Sequence, residues 1–176
     1  MNDQSNSQAP KVTAELRSNV LSEEDYSIVI CDKSPDYPIM GFLQLCADRR
    51  FHQCIQEAFR DDAKLDLPQK YWIHADAGGT PKMTERTTAP RYCYDQNDVR
   101  LMGWSAHGNG CGGFPPGTED KVIEDALYKT IPDKIRDYPD ATHFVYFAKA
   151  IGVGAAEKSV MYCLKYENGV ITTRKD

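Results

Sequence analysis

Five residues in two short stretches have types and spacings that could do chemistry. In "CADRR", Cys46, Asp48 and Arg50 fall on alternate positions directly after the apolar run "IMGFLQL". In "HGNGCGG", His107 and Cys111 stand among glycines at 108, 110, 112 and 113. Two thiols and an imidazole form a Cys₂His set. A catalytic zinc site uses three protein ligands in this way and keeps a fourth position for water. Thiolate and imidazole suit zinc without excluding cobalt or iron. A metal would hold both cysteines as thiolates, and the glycines let the backbone fold tightly around a small ion. Taken singly, each residue has an ordinary reading. A cysteine at a strand end is a small buried hydrophobe, a histidine in a Gly-rich loop is solvated, and Asp48 with Arg50 is a surface ion pair of little energetic consequence. The joint pattern at two strand ends favours a shared site.

The elements around these residues decide whether they can meet. "SIVIC" (27–31), "IMGFLQLC" (39–46), "KYWIHA" (70–75), "VRLMGW" (99–104) and "HFVYFAKAI" (143–151) read as strands. "FHQCIQEAFRDD" (51–62) places Phe51, Cys54, Ile55, Ala58 and Phe59 on one helical face. "TEDKVIEDALYKTI" (118–131) is a second helix, with Thr118 as N-cap, Glu119 and Asp120 at the positive end of its dipole, and Pro132 as its stop. "KSVMYCLKYENGVITT" (158–173) turns at Asn168-Gly169, a tight hairpin. Strands alternating with helices predict an α/β domain with a mostly parallel central sheet flanked by helices. Ligands in such sheets bind beyond the C-terminal ends of the strands. Cys46 ends one predicted strand, and His107 and Cys111 follow the end of another.

The 176 residues predict a polar N-terminal arm over 1–22 and one α/β domain over 23–176. A net charge of −5 argues against nucleic acid or an anionic membrane as partner, since either wants a basic face. No apolar run approaches the roughly 20 residues that span a bilayer. The N-terminus "MNDQSNSQAP" lacks the apolar core of a secretory signal, so a cytoplasmic location is expected. There the six cysteines (31, 46, 54, 93, 111 and 163) are expected as thiols or metal ligands.

These motifs resemble those of the β-class carbonic anhydrases. "CADRR" matches that family's Cys-x-Asp-x-Arg, "HGNGCGG" resembles its His-x-x-Cys-Gly-Gly, and "IHADAGG" resembles the Arg-Asn-Ala-Gly-Gly between them. The closing "SVMYCLKYENGVITT" is similar to its terminal hairpin-forming strand, so the resemblance runs over roughly 39–173 in motif order. It implies zinc held by Cys46, His107 and Cys111, with Asp48 and Arg50 as the catalytic carboxylate–guanidinium pair. It implies reversible hydration of carbon dioxide to bicarbonate, with zinc hydroxide as nucleophile. It also implies a homodimer or higher homo-oligomer. Leu16, Val20 and Leu21, spaced as a short amphipathic helix, could wrap a partner chain.

Two departures bear on the rate. This chain has three residues between His107 and Cys111 where the family has two, which either forms a bulge or draws a ligand away. Ala75-Asp76 stands where the family has Arg-Asn, which adds a negative charge. Slow hydration is therefore expected. The alternatives are hydrolysis of carbon disulfide or carbonyl sulfide on the same scaffold, or a non-catalytic zinc- or bicarbonate-binding protein. His74, beside "ADAGG", reads either as a proton shuttle or as a hydrogen-bonded structural histidine. His52 and His143 carry no functional signal.

Overall fold

Short apolar runs bounded by turns build the sheet. The computed structural model describes residues 38–66, 70–83, 87–153 and 157–173. The predicted strand 27–31, Cys31, the arm over 1–22 and the boundary at residue 22 lie outside them. Six strands are present among the described residues: β1 (Gly41–Cys46), β2 (Tyr71–Asp76), β3 (Leu101–His107), β4 (Thr142–Ile151), β5 (Lys158–Glu167) and β6 (Val170–Thr173). Their order is β2-β1-β3-β4-β5-β6. Every residue of β1 is buried, as expected of a strand covered on both faces.

The sheet is mixed, so the mostly parallel expectation holds only in part. The pairings β1–β2, β1–β3 and β3–β4 are parallel, whereas β4–β5 and β5–β6 are antiparallel. The connections after β4 and β5 are too short for the crossover a parallel neighbour needs. Asn168 (φ 50°) and Gly169 (φ 82°) supply the two positive φ values of a tight hairpin.

Among the described residues, three α-helices cover the two faces. α1 (His52–Asp62) buries Ile55, Ala58 and Phe59 against Leu43, Leu45, Phe144 and Tyr146. Phe59 meets Tyr71 and Phe144 edge-on, at centroid distances of 5.3 and 5.7 Å. Gly103 makes room for it: a Cβ there would lie 2.9 Å from the Phe59 ring and 2.6 Å from Leu43. α2 (Ala89–Gln96) and α3 (Asp120–Asp137) lie over the opposite face, where Cys93, Ile123 and Leu127 join Phe42, Met102, Trp104, Val145 and Phe147. Among the described residues, no helix is long and apolar enough to cross a membrane.

Local signals misled in four places. No sequence pattern marks α2, because only Pro90 and Cys93 of its eight residues are buried, too few to make a periodic pattern. β3 runs three residues beyond the predicted Trp104, so His107 is its last residue rather than a loop residue. Thr118 does not cap α3: its hydroxyl donates to the Pro115 carbonyl at 2.7 Å, and Glu119 occupies the cap without a side-chain bond. Pro132 does not stop the helix, which continues to Asp137. An internal proline costs about 3 kcal/mol. Apolar anchors on both sides of it, Ile123 and Leu127 before and Tyr138 after, belong to one core and outweigh that cost.

His143 is part of that core. It is fully buried. Trp104 Nε1 donates to its Nδ1 at 3.0 Å, and its Nε2 donates to the Tyr138 carbonyl at 3.0 Å. Both ring nitrogens are thus used by the neutral imidazole, and burial holds the His143 pKa below its ordinary value. The folded chain refuses a proton that the unfolded chain accepts near pH 6.5. This contribution to stability is full above that pH and declines as pH falls through it towards the folded pKa. Urea denaturation at about pH 7.5 and about pH 5.5 should show a larger loss in wild type than in His143→Gln. Equal losses would refute the assignment.

Candidate metal centre

The sheet opens where the site forms. β1 and β3 pair from Gly41↔Leu101 to Gln44↔Trp104, and the ladder ends there. Beyond it the Ser105 hydroxyl donates to the Gln44 carbonyl at 2.6 Å, and the Ser105 N–H donates to Thr80 Oγ1 at 2.9 Å. The chain leaves β1 towards α1 on one face and leaves β3 towards α3 on the other. Such a switch point leaves a crevice at the carboxyl ends of the strands. Cys46 ends β1, His107 ends β3, and Cys111 follows four residues later.

All three are buried, and their donor atoms lie within 4.8 Å of one another. Tetrahedral zinc with ordinary bond lengths would set such atoms roughly 3.5–3.8 Å apart; the two sulfurs are 3.5 Å apart. Cys46 Sγ also accepts from the Gly78 N–H at 3.4 Å and the Asp48 N–H at 3.5 Å. The hydrogen bond from the Cys111 thiol pushes the Cys46 pKa well below the thiol range. His107 and the two N–H groups add to this, against burial. Cys111, which keeps the shared proton, is pushed up for the same reason and by burial.

His107 supplies the test of fit. Its Nδ1 donates to the Gly108 carbonyl at 2.7 Å, which leaves the lone pair on Nε2. Nε2 is the one buried side-chain nitrogen or oxygen among the described residues without a hydrogen-bond partner. Such an orphan in a folded core calls for a partner. Burial opposes charge on this ring, but the nearby Cys46 sulfur, the Gly108 carbonyl and Asp48 outweigh it and leave the His107 pKa raised. No group meets hydrogen-bond geometry at Nε2, so the pull of the sulfur acts through space. A lone pair and two sulfurs facing one point fit a metal ion.

Asp48 and Arg50 stand at the exposed side of this cluster. Asp48 Oδ2 lies 3.8 Å from His107 Nε2. Arg50 grips the carboxylate with Nη2 at 2.6 Å and Nε at 3.0 Å. The same Nη2 donates to the Gly110 carbonyl at 3.2 Å. These bonds, first among its influences, hold the Asp48 pKa down at about 2. The Asp48 side chain keeps 26% of its surface exposed and Arg50 51%, so the pair is open to solvent while the three donors are not.

The two Gly-Gly stretches serve close approach. A Cβ on Gly113 would lie 2.3 Å from Gly78 Cα and 2.6 Å from the Ala77 carbonyl oxygen. Only glycine lets these loops touch, and the contact brings the Gly78 N–H to the Cys46 sulfur. The extra residue between His107 and Cys111 is absorbed as a left-handed bulge, with Asn109 at φ 56° and Gly110 at φ 78°. Cys111 is therefore not drawn away.

The other histidines fall elsewhere. His74 Nδ1 lies 3.0 Å from Gln44 Oε1 and 3.4 Å from Asp76 Oδ2. It lines a separate recess of about 530 Å³ with Trp72, Thr87 and Tyr92. His52, read as an ordinary residue, donates from Nε2 to the Cys46 carbonyl at 2.6 Å and so ties α1 to the end of β1. Cys46, Cys54, Cys93 and Cys111 are free thiols. Residue types gave no signal for the supports at Gly78, Gly108 and Gly110, because their contribution is main-chain.

No family model matches the chain, and no curated protein does. Among solved structures, the β-carbonic anhydrase isoform I of the protozoan Trichomonas vaginalis is similar over 88% of this chain and 97% of that one. The identity is 12% and the TM-score 0.35, a distant likeness.

Proposed function

We propose that this chain is a zinc-dependent hydratase that interconverts carbon dioxide and bicarbonate. One observation carries the reading: Cys46, His107 and Cys111 converge with a buried, unpartnered Nε2, and the Asp48–Arg50 pair stands directly beside it. Cys46, His107 and Cys111 would hold the zinc. Bound there, zinc would supply a Lewis acid that lowers the pKa of water to near 7.

The rest is done by the chain. The Gly108 carbonyl fixes the His107 tautomer. Asp48, ionised and held in place by Arg50, accepts a hydrogen bond from the attacking water and turns its lone pair towards the carbon. Carbon dioxide and one water give bicarbonate and one proton, which passes to solvent past the exposed Asp48 side of the site. Stopped-flow hydration with a pH indicator, at about pH 7 to 9, tests this. Zinc-loaded protein should outpace the metal-free form. Equal rates would overturn the hydratase reading and turn attention to carbon disulfide, carbonyl sulfide or simple binding.

A further inference from the structure

The residue that lengthens the loop makes more contacts than a spacer needs. Asn109 Oδ1 accepts from the Ala150 N–H at 2.6 Å, and its Nδ2 donates to the Ala150 carbonyl at 3.2 Å. Its own N–H donates to Asp120 Oδ1 at 2.6 Å. One residue is thereby bolted to the end of β4 and to the first residue of α3. Gly108 permits the second contact, since a Cβ there would lie 2.5 Å from the Asp120 carboxyl carbon. The Gly108 N–H donates to the Ala148 carbonyl at 2.9 Å and secures the loop on its other side. Asn109 holds φ 56°, a region that asparagine tolerates better than most residues.

The bulge lies between two groups that must be placed together. Its next residue, Gly110, presents the carbonyl that Arg50 grips, and the one after is Cys111. We propose that Asn109 is a positioning residue for the metal centre. It fixes the longer loop so that the Cys111 sulfur and the Gly110 carbonyl are set in one step, which couples the third metal donor to the Arg50–Asp48 pair. The inference rests on the metal reading above and adds to it which residue makes this loop length work.

The test separates the two. Cobalt(II)-loaded wild type should show a thiolate-to-cobalt charge-transfer band; its absence would sink the metal reading itself. Asn109→Gly keeps the backbone freedom and removes both side-chain bonds. Its zinc affinity, measured against a competing chelator, should fall about 10–100-fold, the range typical of a lost outer-shell partner. Its cobalt bands should shift. Asn168→Gly, at the equally left-handed hairpin turn, should leave both readouts at wild-type values. Asp120→Ala should weaken zinc in the same direction, while Asp120→Asn, which keeps an acceptor for the Asn109 N–H, should restore it. These two decide the matter if Asn109→Gly does not fold. Wild-type affinity and spectrum in Asn109→Gly or Asp120→Ala, or the same loss in Asn168→Gly, would overturn the proposal.

Discussion

Cys46→Ser should cost this protein its metal. Wild type, purified under reducing conditions with zinc supplied, is expected to carry about one zinc per chain. The serine variant should carry almost none. The reason is chemical rather than steric. A serine hydroxyl has nearly the shape of a thiol but does not ionise near neutral pH, whereas the bonds from Cys111 and two N–H groups push the Cys46 pKa down and favour its thiolate. The loss should exceed the 10–100-fold typical of removing an outer-shell partner, because a direct donor goes. Heat stability should follow: zinc should raise the melting temperature of wild type and leave that of Cys46→Ser unmoved. Cys54→Ser is the control. The Cys54 thiol donates to the Phe51 carbonyl, at 3.2 Å, and its serine variant should keep the zinc. Elemental analysis that found no stoichiometric metal in wild type would remove the basis for the site.

The sequence was informative where chemistry depends on residue type and silent where it depends on backbone. Cys46, Asp48, Arg50, His107 and Cys111 could be picked out from spacing and from their places after strand-like runs, and the structure brings all five together. α1 was legible because Ile55, Ala58 and Phe59 repeat at helical intervals and are buried for that reason. α2 was hidden because almost nothing on it is buried. Pro132 misled because a local cost was read without the core that outweighs it. The mixed sheet is half-visible: Asn168-Gly169 marks a hairpin, and a hairpin makes its two strands antiparallel. The supports of the site were invisible, because a carbonyl at Gly110 or an N–H at Gly78 looks the same in every sequence. Asn109 looked like a fault in a familiar spacing, and only its bonds to Ala150 and Asp120 show that the loop accommodates it.

Asp48 and Arg50 should fail in different ways when changed, and the difference reports on how the pair works. Asp48→Asn keeps the shape but replaces an ionised acceptor with a neutral amide. It should lower the hydration rate by about 10²-fold or more, the scale of a lost positioned proton acceptor. Zinc should stay, because none of the three buried donors is touched. Arg50→Ala removes the three side-chain bonds to the carboxylate and the bond to the Gly110 carbonyl, and leaves only the Arg50 N–H on Asp48 Oδ1. The first effect to consider is protonation. Arg50 holds the Asp48 pKa at about 2, and without it the group would drift towards its ordinary value near 3.9. That is still far below neutrality, so Asp48 would remain ionised in Arg50→Ala throughout the assay range. Any loss of rate must therefore come from position. It follows that Arg50→Ala should depress the rate by the same factor at every pH from about 7 to 9, with bound zinc unchanged. Arg50→Lys should not restore it, since an ammonium cannot make the two parallel bonds. A loss in Arg50→Ala that disappeared as the pH rose would mean that the guanidinium acts by controlling a proton rather than by holding Asp48 in place.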